Sequence, residues 1–330
     1  MSAKAYLVTG GAGFLGSALV RRLVQSGQRV RVLDNQSRGS VGRLADIWNK
    51  FEFVEADIRE AEAVQEAAKG IDCICHLASV NGTEFFYTKP DFVLEVSVKG
   101  MVNVIDACLK NGVGELVLAS SSEVYQTPPV IPTDETVPLV IPDPLNPRYS
   151  YGAGKILSEI MALNYGRRHF ERVLIVRPHN VYGPDMGWEH VVPQFVLRMR
   201  ELCRNAMDPV RFPIQGTGKE TRSFVFIDDF IDGLMLVLEK GERFGIYNIG
   251  TMEEITIEEV ACLVGEYFGR RIEIVEGEPA KGETPRRCPD ITKLRALGYQ
   301  PRYSLQDGLP ITAKWYDENA HKAPPLRTLG

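Results

Sequence analysis

The fold is decided by the stretch Ala5-Tyr6-Leu7-Val8-Thr9-Gly10-Gly11-Ala12-Gly13-Phe14-Leu15-Gly16. Its first five residues form a strand-like run, and the glycines that follow end this run and open a helical pattern. Glycines at these spacings permit a tight turn, the close approach of a pyrophosphate and close helix–sheet packing, while the helix N-terminus attracts the anion. The stretch therefore predicts a dinucleotide site, to which we assign Gly10, Gly13, Phe14, Leu15 and Gly16.

Short apolar or β-branched runs alternate with longer helical patterns through the first half of the chain. This alternation predicts βαβ units and an α/β fold with a Rossmann-type, doubly wound parallel sheet. The predicted strands are Ala5–Thr9, Arg29–Leu33, Phe51–Val54, Ile71–Leu77, Glu115–Ser120 and Val173–Arg177, and the clearest helices are Leu15–Gln25, Asp91–Lys110 and Tyr151–Phe170.

The pattern changes after Arg177, where the chain becomes irregular and rich in proline, glycine and charge. We therefore predict an NAD-binding domain of residues 1–178 plus about 222–250. A smaller, interleaved C-terminal substrate-binding domain is expected from residues 179–221 and 251–330.

Composition argues against several classes of protein. The 330 residues carry a net charge of −5 with scattered basic residues, which disfavours a nucleic-acid partner. No apolar stretch approaches the roughly 20 residues that cross a bilayer, and no leader pattern precedes the first strand, so we expect a cytoplasmic protein without a membrane partner. The six cysteines and five histidines show no metal-ligand spacing, which predicts no metal site and free thiols in a reducing compartment.

Polar residues follow the second, third and fourth predicted strands, at the sheet edge where such folds bind ligands. Asp34 ends the second strand, where a carboxylate can bind the adenosine ribose hydroxyls and would repel a 2′-phosphate. The sequence therefore predicts NAD rather than NADP. The same edge adds Asn35, Asp57, Ile58, Leu77, Ala78 and Ser79 to the predicted cofactor site.

Tyr151 and Lys155 are four residues apart at the start of a predicted helix and so share one of its faces. A neighbouring ammonium favours the phenolate and lowers the pKa of a tyrosine, which makes a base of the phenol. By itself the spacing is weak evidence, because it arises by chance in many proteins. The glycine loop and Asp34 upstream strengthen it.

Further motifs occur in order along the chain. They are Asp57-Ile58, His76-Leu77-Ala78, Ser120-Ser121-Ser122-Glu123-Val124-Tyr125, Tyr151-x-x-x-Lys155 and Arg177-Pro178-His179-Asn180-Val181-Tyr182-Gly183-Pro184. With the glycine loop and Asp34, they resemble the extended short-chain dehydrogenase/reductase family, in its NAD-dependent nucleotide-sugar epimerase/dehydratase branch. The resemblance runs from about residue 5 to 315. It implies a tightly bound NAD, a nucleotide-diphosphate sugar as substrate and a homodimer.

The resemblance also implies the roles of the catalytic residues. Tyr151 would take the proton of a sugar hydroxyl, usually the one at C4, while a hydride leaves for the nicotinamide. Ser121 would hold the same oxygen by a hydrogen bond. Lys155 would bind the nicotinamide ribose and stabilise the phenolate. The leading hypothesis is therefore an epimerase that acts through a transient keto sugar.

Glu123 decides between the alternatives, because it follows Ser121 by two residues and would point the same way on an extended segment. Its position resembles 4,6-dehydratases and glucuronate decarboxylases, in which a glutamate acts as a base at C5 or orients the ring. A 4-dehydrogenase or 4-ketoreductase is a third alternative, and a non-catalytic dinucleotide sensor is the rival from another class. The sequence names neither the base nor the sugar.

The substrate-binding assignments come from the resemblance as well. Arginine suits a diphosphate because its planar fork can chelate phosphate oxygens. The chain departs from the family at Gln126, where a glycine is usual, and at Ser97, where an asparagine is usual. Gly152 and Gly154 would leave room beside Tyr151 for a bulky substrate. The assigned residues are Asn81, Ser122, Asn180, His190, Val192, Arg222 and Arg287.

Overall fold

A seven-stranded parallel sheet organises the chain. The computed structural model describes residues 3–204, 208–278 and 284–324. The sheet has the strand order β11-β6-β5-β4-β1-β2-β3, and each neighbouring pair is parallel. Its strands are β1 (Ala5–Thr9), β2 (Arg29–Asp34), β3 (Glu52–Glu55), β4 (Cys73–His76), β5 (Glu115–Ala119), β6 (Arg172–Pro178) and β11 (Gly245–Ile249). The predicted fold class is confirmed.

Helices cover both faces of this sheet, because the connections between parallel strands cross its faces as helices. One buried cluster packs the sheet against helices α1 and α7, and the other packs it against α2, α4 and α5. The helices are α1 (Phe14–Gln25), α2 (Ala61–Ala67), α3 (Thr83–Thr88), α4 (Pro90–Asn111), α5 (Ser150–His169), α6 (Val191–Leu202), α7 (Ile227–Lys240), α8 (Ile257–Tyr267), α9 (Thr292–Ala296) and α10 (Leu305–Glu318).

Short strands and helices from the second half of the chain form the rest of the molecule. Helices α6, α8 and α10 pack against one another beside three small sheets. These sheets pair β7 with β10, β8 with β13, and β9 with both β12 and β14. The strands are β7 (Val181–Tyr182), β8 (Val210–Pro213), β9 (Thr221–Arg222), β10 (Val225–Phe226), β12 (Ile255–Thr256), β13 (Ile272–Val275) and β14 (Arg286–Arg287).

The predicted division into two domains stays a prediction. Strand β11 joins the main sheet beside β6, and helix α7 packs on that sheet, although both come after the first small sheets in the chain. The predicted limits at residues 1 and 330 lie outside the described residues.

The cysteine thiols of the described residues are free, and no His, Cys, Asp and Glu groups in that part of the chain are arranged to hold a metal ion. No described helix combines the length and the apolar character that a bilayer crossing demands.

Candidate active site

One cavity at the carboxyl ends of the strands collects every residue that the sequence assigns to a site. Its volume is about 750 Å³. Parallel strands end on the same edge of the sheet, so residues that are far apart in the chain meet there. The cavity is lined by the predicted residues Gly10, Gly13, Phe14, Leu15, Gly16, Asp34, Asn35, Asp57, Ile58, Leu77, Ala78, Ser79, Asn81, Ser121, Ser122, Glu123, Tyr151, Lys155, Asn180, His190, Val192, Arg222 and Arg287.

The glycine loop can hold no side chains at two of its positions. A Cβ on Gly10, whose φ is +71°, would lie 2.8 Å from the backbone of Ala78. A Cβ on Gly16 would lie 2.1 Å from the carbonyl oxygen of Gly10. Gly13 then precedes the first residue of α1 and has no side chain with which to cap it. The backbone N–H groups of this helix start can therefore receive a pyrophosphate, as the sequence predicts.

Asp34 joins the end of β2 to the glycine loop. Its buried carboxylate accepts hydrogen bonds from the backbone N–H of Ala12 at 3.0 Å and of Gln36 at 2.7 Å. Asn35, the next residue, donates its side-chain amide to Asp57 at 2.8 Å. Hydrogen bonds from Arg59 lower the pKa of Asp57 to about 2. This acidic end of the cavity fits the adenosine half of NAD and opposes a phosphate on its ribose.

Arg38 follows Asp34 closely in sequence but contacts other parts of the cavity. Its guanidinium donates to the carbonyl oxygen of Asn81, lies 3.4 Å from the Glu189 carboxylate and sits 4.8 Å from the centre of the Phe85 ring. The side chain therefore spans from the loop after β2 to the loop that precedes α6.

Tyr151 lies in the first turn of α5, with its ring buried against Phe86. The two rings are stacked, with their centres 5.0 Å apart and their planes 16° from parallel. Burial raises the pKa of Tyr151 to about 12, although a hydrogen bond with Ser121 opposes this rise. Ser121 and Tyr151 thus stand where both can contact one substrate oxygen.

Lys155 lies one turn further along α5 and points toward the end of β5. Its ammonium donates to the carbonyl oxygen of Ala119 at 2.7 Å and lies 5.7 Å from the centre of the Tyr151 ring. Burial lowers the pKa of Lys155 to about 8, and the charge of Glu159 opposes this fall. The sequence predicts a lowered pKa for Tyr151, but in this structure burial of the phenol outweighs the hydrogen bonds of Ser121 and Ser79 and the charge of Arg38, so the pKa is raised.

Glu123 faces a cluster of arginines inside the cavity. Its carboxylate accepts a hydrogen bond from Arg287 at 2.6 Å, and the Arg148 guanidinium lies 4.0 Å away. Burial alone would raise the pKa of Glu123, but the charges of Arg287, Arg148 and Arg222 outweigh it and lower that pKa. Glu123 is therefore an ionised carboxylate next to Ser121 and Tyr151.

The two consecutive arginines of β14 face opposite ways. Arg286 forms an exposed bidentate pair with Glu254, at 2.8 and 2.7 Å. Arg287 is buried in the cavity, where its Nε has no hydrogen-bond partner among the described residues. The sequence predicts Arg287 as a diphosphate ligand, whereas the structure sets its guanidinium against Glu123.

Arg148 also lines the cavity, although the sequence does not predict it. It belongs to a short 3₁₀ turn, Pro147–Tyr149, directly before α5. The one available signal was its position three residues before Tyr151, which places a cation near the start of the same helix.

The remaining predicted substrate residues line the cavity with less specific contacts. Asn180 turns its amide to the carbonyl oxygen of Ser223, at 2.8 Å. Burial lowers the pKa of His190 to about 4, so its imidazole is neutral near pH 7. Arg222 donates to the carbonyl oxygen of Thr221 at 2.8 Å. Their assignment to the substrate stays a prediction.

The glycines of α5 leave no free room beside Tyr151, contrary to the expectation from sequence. A Cβ on Gly152 would lie 2.5 Å from Nε2 of Gln126, and one on Gly154 would lie 2.8 Å from Cβ of Ser97. The neighbours that fill this space are the two residues at which the chain departs from the family pattern.

Comparisons with known proteins agree with this geometry. The model of the NAD dependent epimerase/dehydratase family matches residues 6–250. UDP-glucuronic acid decarboxylase 5 of Arabidopsis thaliana is 33% identical over 312 residues, which cover 92% of this chain and 87% of that protein.

Two solved structures are similar over almost their whole length. UDP-glucose 4-epimerase from Thermotoga maritima, in a complex with UDP-glucose, has a TM-score of 0.84 at 29% identity and covers 96% of this chain and 99% of its own. A dTDP-glucose 4,6-dehydratase from Streptomyces venezuelae, with NAD bound, has a TM-score of 0.85 at 32% identity and covers 98% of this chain and 100% of its own.

The fold and the site define an NAD-dependent enzyme of the extended short-chain dehydrogenase/reductase type. The chain belongs to the NAD dependent epimerase/dehydratase family. The predictions of this family and of NAD as the cofactor are confirmed.

Proposed function

We propose that the chain removes the carboxyl group of a nucleoside-diphosphate hexuronic acid after oxidising the sugar at C4. The observation that carries this proposal is the ion pair between Glu123 and Arg287, in the same cavity as Ser121 and Tyr151. Similarity to UDP-glucuronic acid decarboxylases supports it, and so does the charge around the pair.

Guanidinium groups gather around Glu123 at this end of the cavity. Arg287, Arg148 and Arg222 all act on the single carboxylate of Glu123. A substrate with a carboxylate on the sugar and a diphosphate on its other side suits these groups, because guanidinium groups bind both anions through paired hydrogen bonds. A neutral hexose would supply only the diphosphate.

The residues around C4 suit the proton transfers of this reaction. Bound NAD would accept the hydride, and its positive charge would favour the Tyr151 phenolate. Tyr151 would remove the proton of the C4 hydroxyl while Ser121 holds the oxygen. The resulting ketone makes the substrate a β-keto acid, so the C5–C6 bond breaks, carbon dioxide leaves and the electron pair moves to the C4 oxygen. Ser121 and Tyr151 would stabilise that oxyanion until C5 takes a proton from water. The hydride would then return to C4 while Tyr151 gives its proton back to the C4 oxygen.

An epimerase, the leading hypothesis from sequence, is the second candidate. Similarity to the Thermotoga maritima epimerase favours it, and the removal and return of a hydride need only Tyr151, Ser121 and Lys155. In a 4,6-dehydratase, Glu123 would instead remove the C5 proton. A 4-dehydrogenase or 4-ketoreductase would stop after one hydride transfer, and a dinucleotide sensor would convert no sugar.

Mass spectrometry of the products separates these reactions. The purified protein would be incubated with UDP-glucuronic acid, UDP-glucose and dTDP-glucose. We expect UDP-glucuronic acid to lose the mass of carbon dioxide. Loss of the mass of water would identify a dehydratase, and an unchanged mass with altered NMR couplings would identify an epimerase. Either of these, without decarboxylation, would overturn the proposal.

Glu123→Gln is expected to slow turnover by about 100-fold, the size of effect that a small misplacement near the reacting atoms has, while the first hydride transfer persists. The amide keeps the shape of the side chain but cannot hold Arg287 by charge, so the keto sugar would wait beside reduced cofactor. Absorbance of the reduced nicotinamide would report this accumulation. Glu254→Gln is the matched control, because it breaks the exposed pair of the adjacent Arg286. Equal turnover of both variants would contradict a role for Glu123.

We also propose a homodimer formed through α4 and α5. These helices pack side by side and expose large apolar side chains to solvent. A second copy of this chain would cover them, since a patch of this kind is typical of an interface. We expect Leu157→Asp to halve the mass measured by sedimentation equilibrium, whereas a mass that is unchanged would exclude this face. The exposed side chains are Leu94, Val102, Leu109, Leu157, Ile160 and Tyr165.

A cytoplasmic location completes the proposal. Cys73 and Cys75 lie on the same buried face of β4 as free thiols, and their hydrogen bond together with burial raises the pKa of Cys73. Such neighbouring thiols suit a reducing compartment. Cell fractionation with an antibody to the chain would test it, and recovery in a secreted fraction would refute it.

A further inference from the structure

The turn that carries Glu123 ends in an unusual buried residue. Ser122–Val124 form a short 3₁₀ helix, and the backbone N–H of Glu123 donates to the Ser121 hydroxyl at 3.1 Å. Gln126 then adopts a left-handed conformation, with φ of 51°, although it is 3% exposed and glycine would fit this backbone better. Its buried side chain makes a hydrogen bond that glycine could not make.

The side chain and the backbone of Gln126 both hold the Glu123–Arg287 pair. Its Nε2 donates to the carbonyl oxygen of Glu123 at 2.5 Å. Its own carbonyl oxygen accepts a hydrogen bond from the Thr284 hydroxyl at 3.0 Å. That hydroxyl in turn accepts from Arg287 at 3.2 Å, and Arg287 donates to the Glu123 carboxylate at 2.6 Å. The four residues close a ring of hydrogen bonds.

Gly152 makes space for this ring. A methyl group there would lie 2.5 Å from the Gln126 amide nitrogen and 2.9 Å from the Glu123 carbonyl oxygen. Both distances are too short for any real contact, so a side chain at position 152 would displace the turn. Gly152 therefore leaves the space that the Gln126 side chain occupies.

We propose that Gln126 is a positioning residue, which fixes the Glu123 carboxylate and, through Thr284, brings Arg287 to the same turn. The expected effect on the step after the first hydride transfer rests on the proposed function. The expected effect on how Glu123 and Arg287 are held does not rest on it.

Gln126→Met tests the proposal with little change in volume. Methionine fills the same space but cannot donate to the Glu123 carbonyl oxygen. Arg287 would then be held less firmly against Glu123, while Arg148 and Arg222 still face it. We expect the pKa of Glu123 to rise, measured by carbon NMR of protein labelled in its glutamate carboxyl groups, with Glu123→Gln identifying the signal.

Activity gives a second, separate readout. The first hydride transfer to bound NAD should change less than twofold, while the later step slows about 10- to 100-fold, because small misplacements near the reacting atoms have effects of this size. The acid limb of the profile of kcat against pH should move to higher pH, because only ionised Glu123 holds Arg287 by charge.

The outcomes separate the two proposals. A raised pKa with a slowed later step supports the positioning role and its chemical consequence. A raised pKa with normal turnover supports the positioning role but contradicts a part for Glu123 in the later step, and the mass of the product tests the proposed function separately. An unchanged pKa overturns the positioning role whatever the rate. If Gln126→Met does not fold, Thr284→Val removes the next link in the ring and should shift the same pKa in the same direction.

Two glycine variants test whether a side chain at position 152 displaces the turn that carries Glu123. Gly152→Ala should raise the pKa of Glu123, because it pushes on the turn. Gly154→Ala is the matched control from the same helix, where the methyl group would meet Ser97 on α4 instead. Equal pKa values for Glu123 in the two variants would contradict the match between Gly152 and Gln126.

Discussion

Replacing Tyr151 by phenylalanine is expected to reduce kcat by about 10³-fold, within the range that a positioned acid–base group contributes. The change removes one oxygen and leaves the stacked contact with Phe86 in place. Bound NAD should be retained, because the glycine loop and Asp34 are untouched. The measurement is single-turnover reduction of the nicotinamide, combined with release of the cofactor by denaturation.

The pH dependence of this step supplies a second test of Tyr151. The base must be ionised, so the rate should rise with pH as the phenol loses its proton. Lys155, whose pKa is lowered to about 8 by burial, loses its charge above that value and then ceases to favour the phenolate. Tyr149→Phe, just before the helix, is the matched control and should behave like the unaltered enzyme. A Tyr151→Phe variant that keeps a tenth of the rate would rule out a general-base role.

Glu159→Gln is expected to lower the free energy of unfolding by about 3–5 kcal/mol, as the loss of one partner from a buried ion pair does. Arg177 and Glu159 are 2% and 3% exposed and form two hydrogen bonds, at 2.9 and 2.6 Å. The same guanidinium donates to the Tyr125 hydroxyl at 2.7 Å. The neutral amide would leave Arg177 buried without its counter-charge.

Urea unfolding followed by circular dichroism would measure this loss. Glu52→Gln is the control, because the Glu52 side chain is 68% exposed and pairs with Arg31 at the surface. Exposed pairs contribute only about 0–1 kcal/mol, so the control should unfold close to the unaltered protein. If both variants unfold at the same urea concentration, the buried pair does not stabilise the fold as its geometry indicates.

Local signals were enough to predict the frame of the site. The glycine loop, the strand that precedes it and Asp34 lie within one βαβ unit, so their spacing in the chain reflects their spacing in the fold. Six of the seven strands of the main sheet and the helix of Tyr151 were predicted within a few residues of their observed ends, whereas strand β11 was not predicted. The prediction of these strands and of this helix depends on hydrophobic periodicity and on turn residues, which are read from short stretches of sequence.

Contacts between distant segments could not be predicted in this way. Arg287 contacts Glu123 because β14 pairs with β9. No local sequence pattern around Arg287 or Glu123 predicts that pairing. The short helix α3, which brings Phe86 onto Tyr151, was not predicted. The raised pKa of Tyr151 follows from burial by many neighbours, whereas the sequence displayed only the lysine one turn away.

The origin of Arg287 in a small outlying sheet has a consequence for engineering. Ser121 follows strand β5, and Tyr151 and Lys155 lie in α5, so the residues proposed to serve the hydride transfer are held by the main sheet and its helices. The guanidinium that contacts Glu123 belongs instead to a two-residue strand outside that sheet. If the proposed function holds, substitutions in β14 are expected to change the product while the hydride transfer persists. Libraries limited to this segment should yield new product profiles from an unchanged redox machinery.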